Sequence, residues 1–238
     1  MASFIFHQAN TRGNENHGWL HTFHTFSFAN YYSKERVHFG ALRVLNDDTI
    51  DGGMGFDLHP HDNMEIITIP LEGELVHKDN MGNAGVIKSS DIQVMSAGTG
   101  IEHSEYNRIA DKQLKLLQIW VFPNKKNVKP RYDQISLNPE DLHNRFNQIV
   151  SPSPDDEGVW IHQDAWFYLS KFDQGVAKEY LVNIEGNGVY AFIIKGEVTI
   201  EDQKLKSRDG LGIWDTDSFI IQADSDAEFL LMEVPMIF

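Results

Sequence analysis

His59-Pro60-His61 and His103-Ser104-Glu105 are the parts of this 238-residue chain whose side chains and spacing suit them to holding a reactive metal ion. Each pair is spaced i, i+2. On a β-strand that spacing puts both side chains on one face, roughly 6.5–7 Å apart along the strand. Two such strands brought together converge three imidazoles and one carboxylate on a point. Neutral nitrogens with one hard oxygen suit a divalent ion such as Fe, Cu, Zn, Ni or Mn. Four protein ligands also leave octahedral positions free for a substrate or a small gas. Structural zinc sites, by contrast, are closed tetrahedra rich in cysteine, and this chain has no cysteine. A lone HxH among 11 histidines would be a loose signal. A second pair placed after a glycine bend in an all-strand pattern makes it specific.

The flanking residues say how such pairs are positioned. Glu65-Ile66-Ile67-Thr68-Ile69 reads as a strand and Glu72-Gly73 as a tight turn. Asp91 to Met95 alternates polar and apolar, and Gly98 and Gly100 supply a bend before His103, where glycine accepts backbone angles other residues avoid. Pro60 has no backbone donor, so its strand is expected at a sheet edge or with a bulge, a feature that often re-aims side chains near active sites. Further short runs recur at Phe39–Leu45, Glu74–His77, Gly85–Lys88 and Leu114–Phe122, separated by turn signals such as Asp79-Asn80-Met81-Gly82-Asn83. The pattern is all-β, a sandwich or small barrel. One short helix is expected near Asn138–His143, with Asn138 as N-cap and Pro139 in first position.

With 20 Lys+Arg against 35 Asp+Glu the net charge is −15. That argues against direct binding to nucleic acid or an anionic membrane, both of which need clustered positive charge. No stretch reaches the roughly 18 apolar residues of a membrane span, and the first residues do not read as a secretory signal. Together with the missing cysteines, these features lead us to expect a cytoplasmic protein.

Residues 160–238 replay the first half in reduced form. Ile194-Lys195-Gly196-Glu197-Val198-Thr199-Ile200 parallels Pro70-Leu71-Glu72-Gly73-Glu74-Leu75-Val76. Ser207 to Trp214 parallels Lys88 to Met95, and Ala227 to Pro235 parallels Gln113 to Pro123. The run Ser151-Pro152-Ser153-Pro154-Asp155-Asp156-Glu157-Gly158 breaks structure between them. The expected division is an N-terminal metal-binding domain over 1–135, a linker over 136–158, and a C-terminal domain over 159–238. The last has only His162 and no HxH, so it cannot carry the same ligand set.

Gly53-x5-His59-x-His61-x3-Glu65 with Gly73, then Gly98 before His103-x3-Asn107, resembles the two cupin motifs. HPHDNMEIITIPLEGE, DNMGNAGVI and MSAGTGIEHSEYN, with His24 to Tyr32 and Leu42 to Asp48, resemble the pirin branch more narrowly, and nearly end to end. The resemblance is strongest to bacterial pirin-like quercetin 2,3-dioxygenases. It implies two tandem cupin β-sandwich or barrel domains, a bicupin with few short helices. The metal would sit in the first, held by His59, His61, His103 and Glu105. Many other cupins take their carboxylate just after the HxH, and Glu65 lies an even number of residues from both histidines. Simple alternation therefore leaves Glu65 open beside Glu105, while the pirin pattern favours Glu105.

The implied activity is oxidative opening of a flavonol ring with O2 and release of carbon monoxide. The cofactor would be one divalent transition metal, Fe(II) first, with Cu, Zn, Ni, Co or Mn as alternatives. A bound ion lowers the pKa of a ligated hydroxyl, and Glu105 is the candidate catalytic base as well as a ligand. A flat polyphenol needs an apolar slot, for which Trp19, Phe23, Phe26, Phe28 and Met95 are candidate walls. Groups expected to orient the imidazoles are Asp57, Asn63, Ser104 and Asn107. His17, His21, His24 and His38 read as structural, with His24 near enough to reach the site, and His77 reads as a solvent-face residue. Two other readings belong to different classes. One is a metal-dependent regulatory module acting through a protein partner, and the other a dioxygenase for a non-flavonoid substrate.

Overall fold

The computed structural model describes residues 2–238, which form 22 strands and two 3-10 turns. The strands build two sandwiches, each from one seven-stranded and one four-stranded sheet. In the first sandwich the large sheet runs Arg131–Ser136, Asp91–Ser96, Glu65–Glu72, Leu114–Val121, Leu42–Ile50, Leu20–His24, Gly13–Asn16. Its small sheet runs Gly55–His61, Ile101–Asn107, Glu74–Asp79, Ala84–Lys88. The expected helix is a 3-10 turn, Pro139–Leu142, opened by Asn138, whose side chain accepts the Glu140 N–H at 3.3 Å.

Period-2 alternation decides where each face goes. The two large sheets pack against one another over a shared apolar cluster, with Leu45, Ile67 and Ile119 from the first and Phe167, Phe192 and Leu230 from the second. The opposite faces look into their own sandwiches. In the second sandwich Val189, Ala191, Ile193 and Leu231 meet Val198, Leu205, Phe219 and Ile221, and the buried Glu233 carboxylate accepts from Tyr180, Asn183 and Asn187. In the first, apolar residues form only two small clusters, one around Ile50, Leu75 and Leu114, the other Ile66, Met95, Ala97 and Ile101. Asp48, Thr68, His77, Glu105 and Gln118 are buried there as well. Buried polar groups cost free energy unless they find partners, and this sandwich alone carries the histidine pairs. Asp91–Ser96 lies inside this layering. It is therefore buried at every position rather than on one face only, with Ile92 and Val94 turned to the shared core.

The internal replay is visible at its corners. Gly73 (φ +90°) and Gly196 (φ +84°) sit where the chain leaves a large sheet for a small one. A Cβ at Gly196 would lie 2.3 Å from the Asp226 carbonyl oxygen, so both the angle and the space require glycine.

The expected division at 1–135, 136–158 and 159–238 needs two corrections. Ser3–His7 pairs with Gly210–Trp214 and so belongs to the second large sheet. It covers the edge that Gly210–Trp214 would otherwise leave open, with Phe4 and Phe6 against one core and Ile5 against the other. Asn147–Ser151, placed in the linker, is likewise a strand paired with Trp166–Phe172.

Candidate metal centre

Gly55–His61 is the edge of its small sheet and pairs only with Ile101–Asn107. Pro60 is tolerated there because an edge strand has an outward side that needs no donor. His59 faces His103 directly across the ladder, and the register shifts between His103 and Glu105. Ring centroids are 4.4 Å apart for His59 and His103, and 4.9 Å for His61 with either neighbour. One nitrogen from each of the three imidazoles lies within 4.8 Å of the other two, and His61 Nε2 is 3.0 Å from His103 Nε2. The His59 Nδ1–H donates to the Asp57 carbonyl at 2.7 Å, which leaves Nε2 as the free lone pair.

Glu105 is buried and lines the same cavity as His59 and His61. Its carboxylate groups within 4.8 Å with His103 and His77 rather than with His59 and His61. Glu65 is elsewhere. The break at Asp62-Asn63, with Asn63 at φ +44°, restarts the alternation in a different sheet, so Glu65 shares a face with Ile67 and Ile69. There it accepts a hydrogen bond from Ser96 Oγ at 2.6 Å and sits near Arg131.

Electrostatics favour the ligand forms of two imidazoles. Burial, then the positive ends of neighbouring histidines, hold His61 down to about 4 and His103 down to about 2, so both are neutral near pH 7. Glu105 is pushed up to about 7 by burial, with Asp48 adding to the rise and Gln118 and Thr68 opposing it. Asp48 is itself pushed up to about 7, mainly by burial. A metal-free site therefore holds a proton near neutrality that a cation would displace, because a carboxylate must be ionised to ligate. The expected outcome is that metal affinity rises about tenfold per pH unit below pH 7, where one proton is released, and flattens above it. His61 and His103 add no slope above about pH 5, since they carry no proton to lose. Calorimetric titration in buffers of different ionisation enthalpy measures the proton release, and affinity independent of pH between 5.5 and 7 would contradict the role of Glu105.

The cavity in front of the imidazoles has a volume of about 280 Å³. Leu20, Phe28, Phe56, Leu116 and Trp120 form its apolar wall, and His24, Asn46, Asp48 and Gln118 its polar one. Of the expected aromatic walls only Phe28 is there. Trp19 packs behind Phe56 at 5.2 Å, Phe23 lies under the Arg12 guanidinium, Phe26 is in the core between the sandwiches, and Met95 is in the cluster with Ile66. The walls found instead, Leu116, Gln118 and Trp120, alternate on Leu114–Val121, so their parity was readable. His61 meets Trp120 edge-on at 5.0 Å.

Among the groups expected to orient the imidazoles, Asp57 does so through its backbone, while its carboxylate accepts from Tyr106. Asn63 bonds to Asn127. Asn107 ties down the carbonyls of Ile50, Asp51 and Lys112. Ser104 alternates away from the histidines. His24 reaches the cavity, its Nδ1 2.8 Å from Asn46 Oδ1, and His17 stands at the same cavity. His77 is not on a solvent face: it is fully buried against His103.

Residues 5–121 match the Pirin family and residues 148–234 the quercetinase C-terminal cupin domain. A quercetin 2,3-dioxygenase of Escherichia coli (strain K12) is 45% identical over 231 residues, covering 96% of this chain and 97% of that one. The chain belongs to the pirin family. A pirin-like protein of Caulobacter vibrioides is 37% identical over 222 residues, covering 93% of this chain and 95% of that one. The crystal structure of the bacterial pirin YhhW from Escherichia coli, in complex with nickel(II), superposes with a TM-score of 0.93 at 41% identity, covering 99% of this chain and all of that one. A quercetin 2,3-dioxygenase from Acinetobacter baumannii shares the fold, with a TM-score of 0.80 at 22% identity over 99% of this chain and 87% of that one. No helix in this pirin-family protein is long and apolar enough to cross a membrane among the described residues.

Proposed function

We propose that this protein is a metal-dependent dioxygenase that opens the ring of a flavonol such as quercetin, placing both atoms of O2 in the product and releasing one carbon as CO. The observation that carries the reading is the cluster of three imidazoles beside a buried carboxylate, at the wall of a mostly apolar cavity. His59, His61, His103 and Glu105 would hold one divalent ion, and the donor set fits: two of the nitrogens are held neutral by burial, and no cysteine thiolate competes. When bound, the ion supplies Lewis acidity that makes a flavonol hydroxyl easier to ionise.

The chain's own residues supply the rest. Leu20, Phe28, Phe56 and Trp120 present flat apolar surface and exclude water from a planar polyphenol. Glu105, with a proton affinity near neutrality, is matched to accept the hydroxyl proton and return it. Asp48, in the same wall and likewise pushed up to about 7, raises the proton affinity of Glu105 through its charge. Fe(II) is the first ion to test, and Ni(II), which YhhW binds, the second.

The test is reconstitution of metal-stripped protein with Fe(II), Ni(II), Cu(II), Co(II), Mn(II) or Zn(II), followed by loss of quercetin absorbance under oxygen. Turnover well above that of the free ion with at least one metal is expected. Tight metal binding with no turnover by any ion would overturn the flavonol assignment.

A further inference from the structure

Opposite nitrogens of the His103 ring meet different partners. Nε2 is 3.0 Å from His61 Nε2, and Nδ1 is 3.4 Å from His77 Nδ1. His77 lies on Glu74–Asp79, the strand beside Ile101–Asn107, where Glu105 faces His77 and His103 faces Asp79. The far nitrogen of His77, Nε2, is 3.3 Å from Asp79 Oδ2, and both side chains are fully buried. Asp79 is held in turn by its own hairpin. Its Oδ1 accepts the N–H groups of Met81 (3.0 Å) and Asn83 (2.9 Å), and its Oδ2 accepts Asn83 Nδ2 at 2.8 Å. The Tyr132 ring closes the other side of His77 at 4.8 Å.

Counting donors and acceptors along this chain leaves one arrangement. The Asp79 carboxylate only accepts, so His77 Nε2 carries the hydrogen. A neutral imidazole with hydrogen on Nε2 has its lone pair on Nδ1, and that atom faces His103. His103 Nδ1 must then be the N–H donor, which turns the lone pair of His103 Nε2 toward His61. A ligating histidine commonly gives its second N–H to a partner that fixes the tautomer and strengthens the ligand. Here the partner is a second histidine anchored by a buried carboxylate.

We propose that His77 and Asp79 are positioning residues that fix His103 in its Nε2 ligand form and aim it at the ion. The proposal rests on the reading of His59, His61 and His103 as ligands.

The test compares His77→Leu with His77→Asn, near-isosteric side chains of which only asparagine puts an acceptor oxygen close to the original Nδ1. Zn(II) and Co(II) affinity is measured by chelator competition, with the visible spectrum of the Co(II) form and the melting temperature recorded alongside. H77L is expected to bind one ion about 10–100-fold more weakly, with a changed Co(II) spectrum, and H77N to recover most of the loss. Asp79→Asn keeps the Oδ1 acceptor of the Met81 and Asn83 N–H groups but puts an amide N–H in place of Oδ2, facing His77 Nε2 and forfeiting the bond from Asn83 Nδ2. It reverses the tautomers and is expected to weaken binding as H77L does. Leu and Asn variants that both melt lower yet bind metal like the wild type would overturn the proposal. So would two ions per chain in the wild type, lost together in H77L, which would make His77 a ligand. If the wild-type protein shows no site that His61→Ala removes, the ligand reading fails before the positioning one is reached.

Discussion

His61→Ala is expected to leave the protein folded and without its ion. His61 is only half-buried, at the outer end of an edge strand, and it meets the His103 nitrogen and the His59 and Trp120 rings. Removing it takes little from the core, so the melting temperature of the metal-free form should change by no more than a surface substitution's effect, within about 0.5 kcal/mol of stability. Metal affinity should fall by more than the about 100-fold lost with a merely supporting partner, because one of three imidazoles is gone. Quercetin turnover should drop to the level of metal-stripped protein. Metal content after desalting, with melting curves at increasing Zn(II), separates the two effects. An H61A protein that keeps one tight ion would show that the imidazole cluster is not the metal site.

Glu105→Gln and Glu65→Gln should behave in opposite ways. Both carboxyls are buried and both are pushed up to about 7, mainly by desolvation, so proton affinity alone does not separate them. Geometry does. Glu105 stands in the cavity wall beside the histidines, whereas Glu65 lies on the other face of the large sheet, bonded to Ser96. E105Q should lower kcat by about 10²–10⁴-fold, the usual contribution of a positioned acid–base group, and should weaken the ion as well. E65Q should keep both turnover and metal content. Loss of metal from E65Q with retention in E105Q would transfer the ligand role to Glu65.

The three imidazoles were legible because the signal is local. Two i, i+2 pairs need only extended backbone to present one face, and Pro60 announced the edge strand that carries the first. Glu65 stayed open because counting by twos ran across Asp62-Asn63, where a positive φ and a change of sheet restart the alternation. His77 was misplaced although its own strand carried the clue: Leu75, His77 and Asp79 share a parity, and Leu75 is an evident core residue. The cavity walls were the least legible. Phe23 and Phe26 are close in sequence to residues of the site, but Phe23 turns to the Arg12 guanidinium and Phe26 to the core between the sandwiches, while Trp120 arrives from a strand far along the chain. Ser3–His7 was missed as part of the second sandwich because its partner lies at Gly210–Trp214, a pairing no local pattern reveals. That the second sandwich carries no imidazole cluster is legible, since its half of the sequence holds a single histidine, His162.

Product analysis under ¹⁸O2 distinguishes the proposed ring opening, by both atoms of O2 at the His59–His61–His103 centre, from other oxidations. Metal-loaded protein is given quercetin and labelled oxygen, and CO in the headspace is counted against flavonol consumed. One CO per quercetin is expected, with two labelled oxygens in the remaining product, and neither in H61A. Quercetin loss without CO, with one or no labelled oxygen, or with equal CO from H61A, would contradict it.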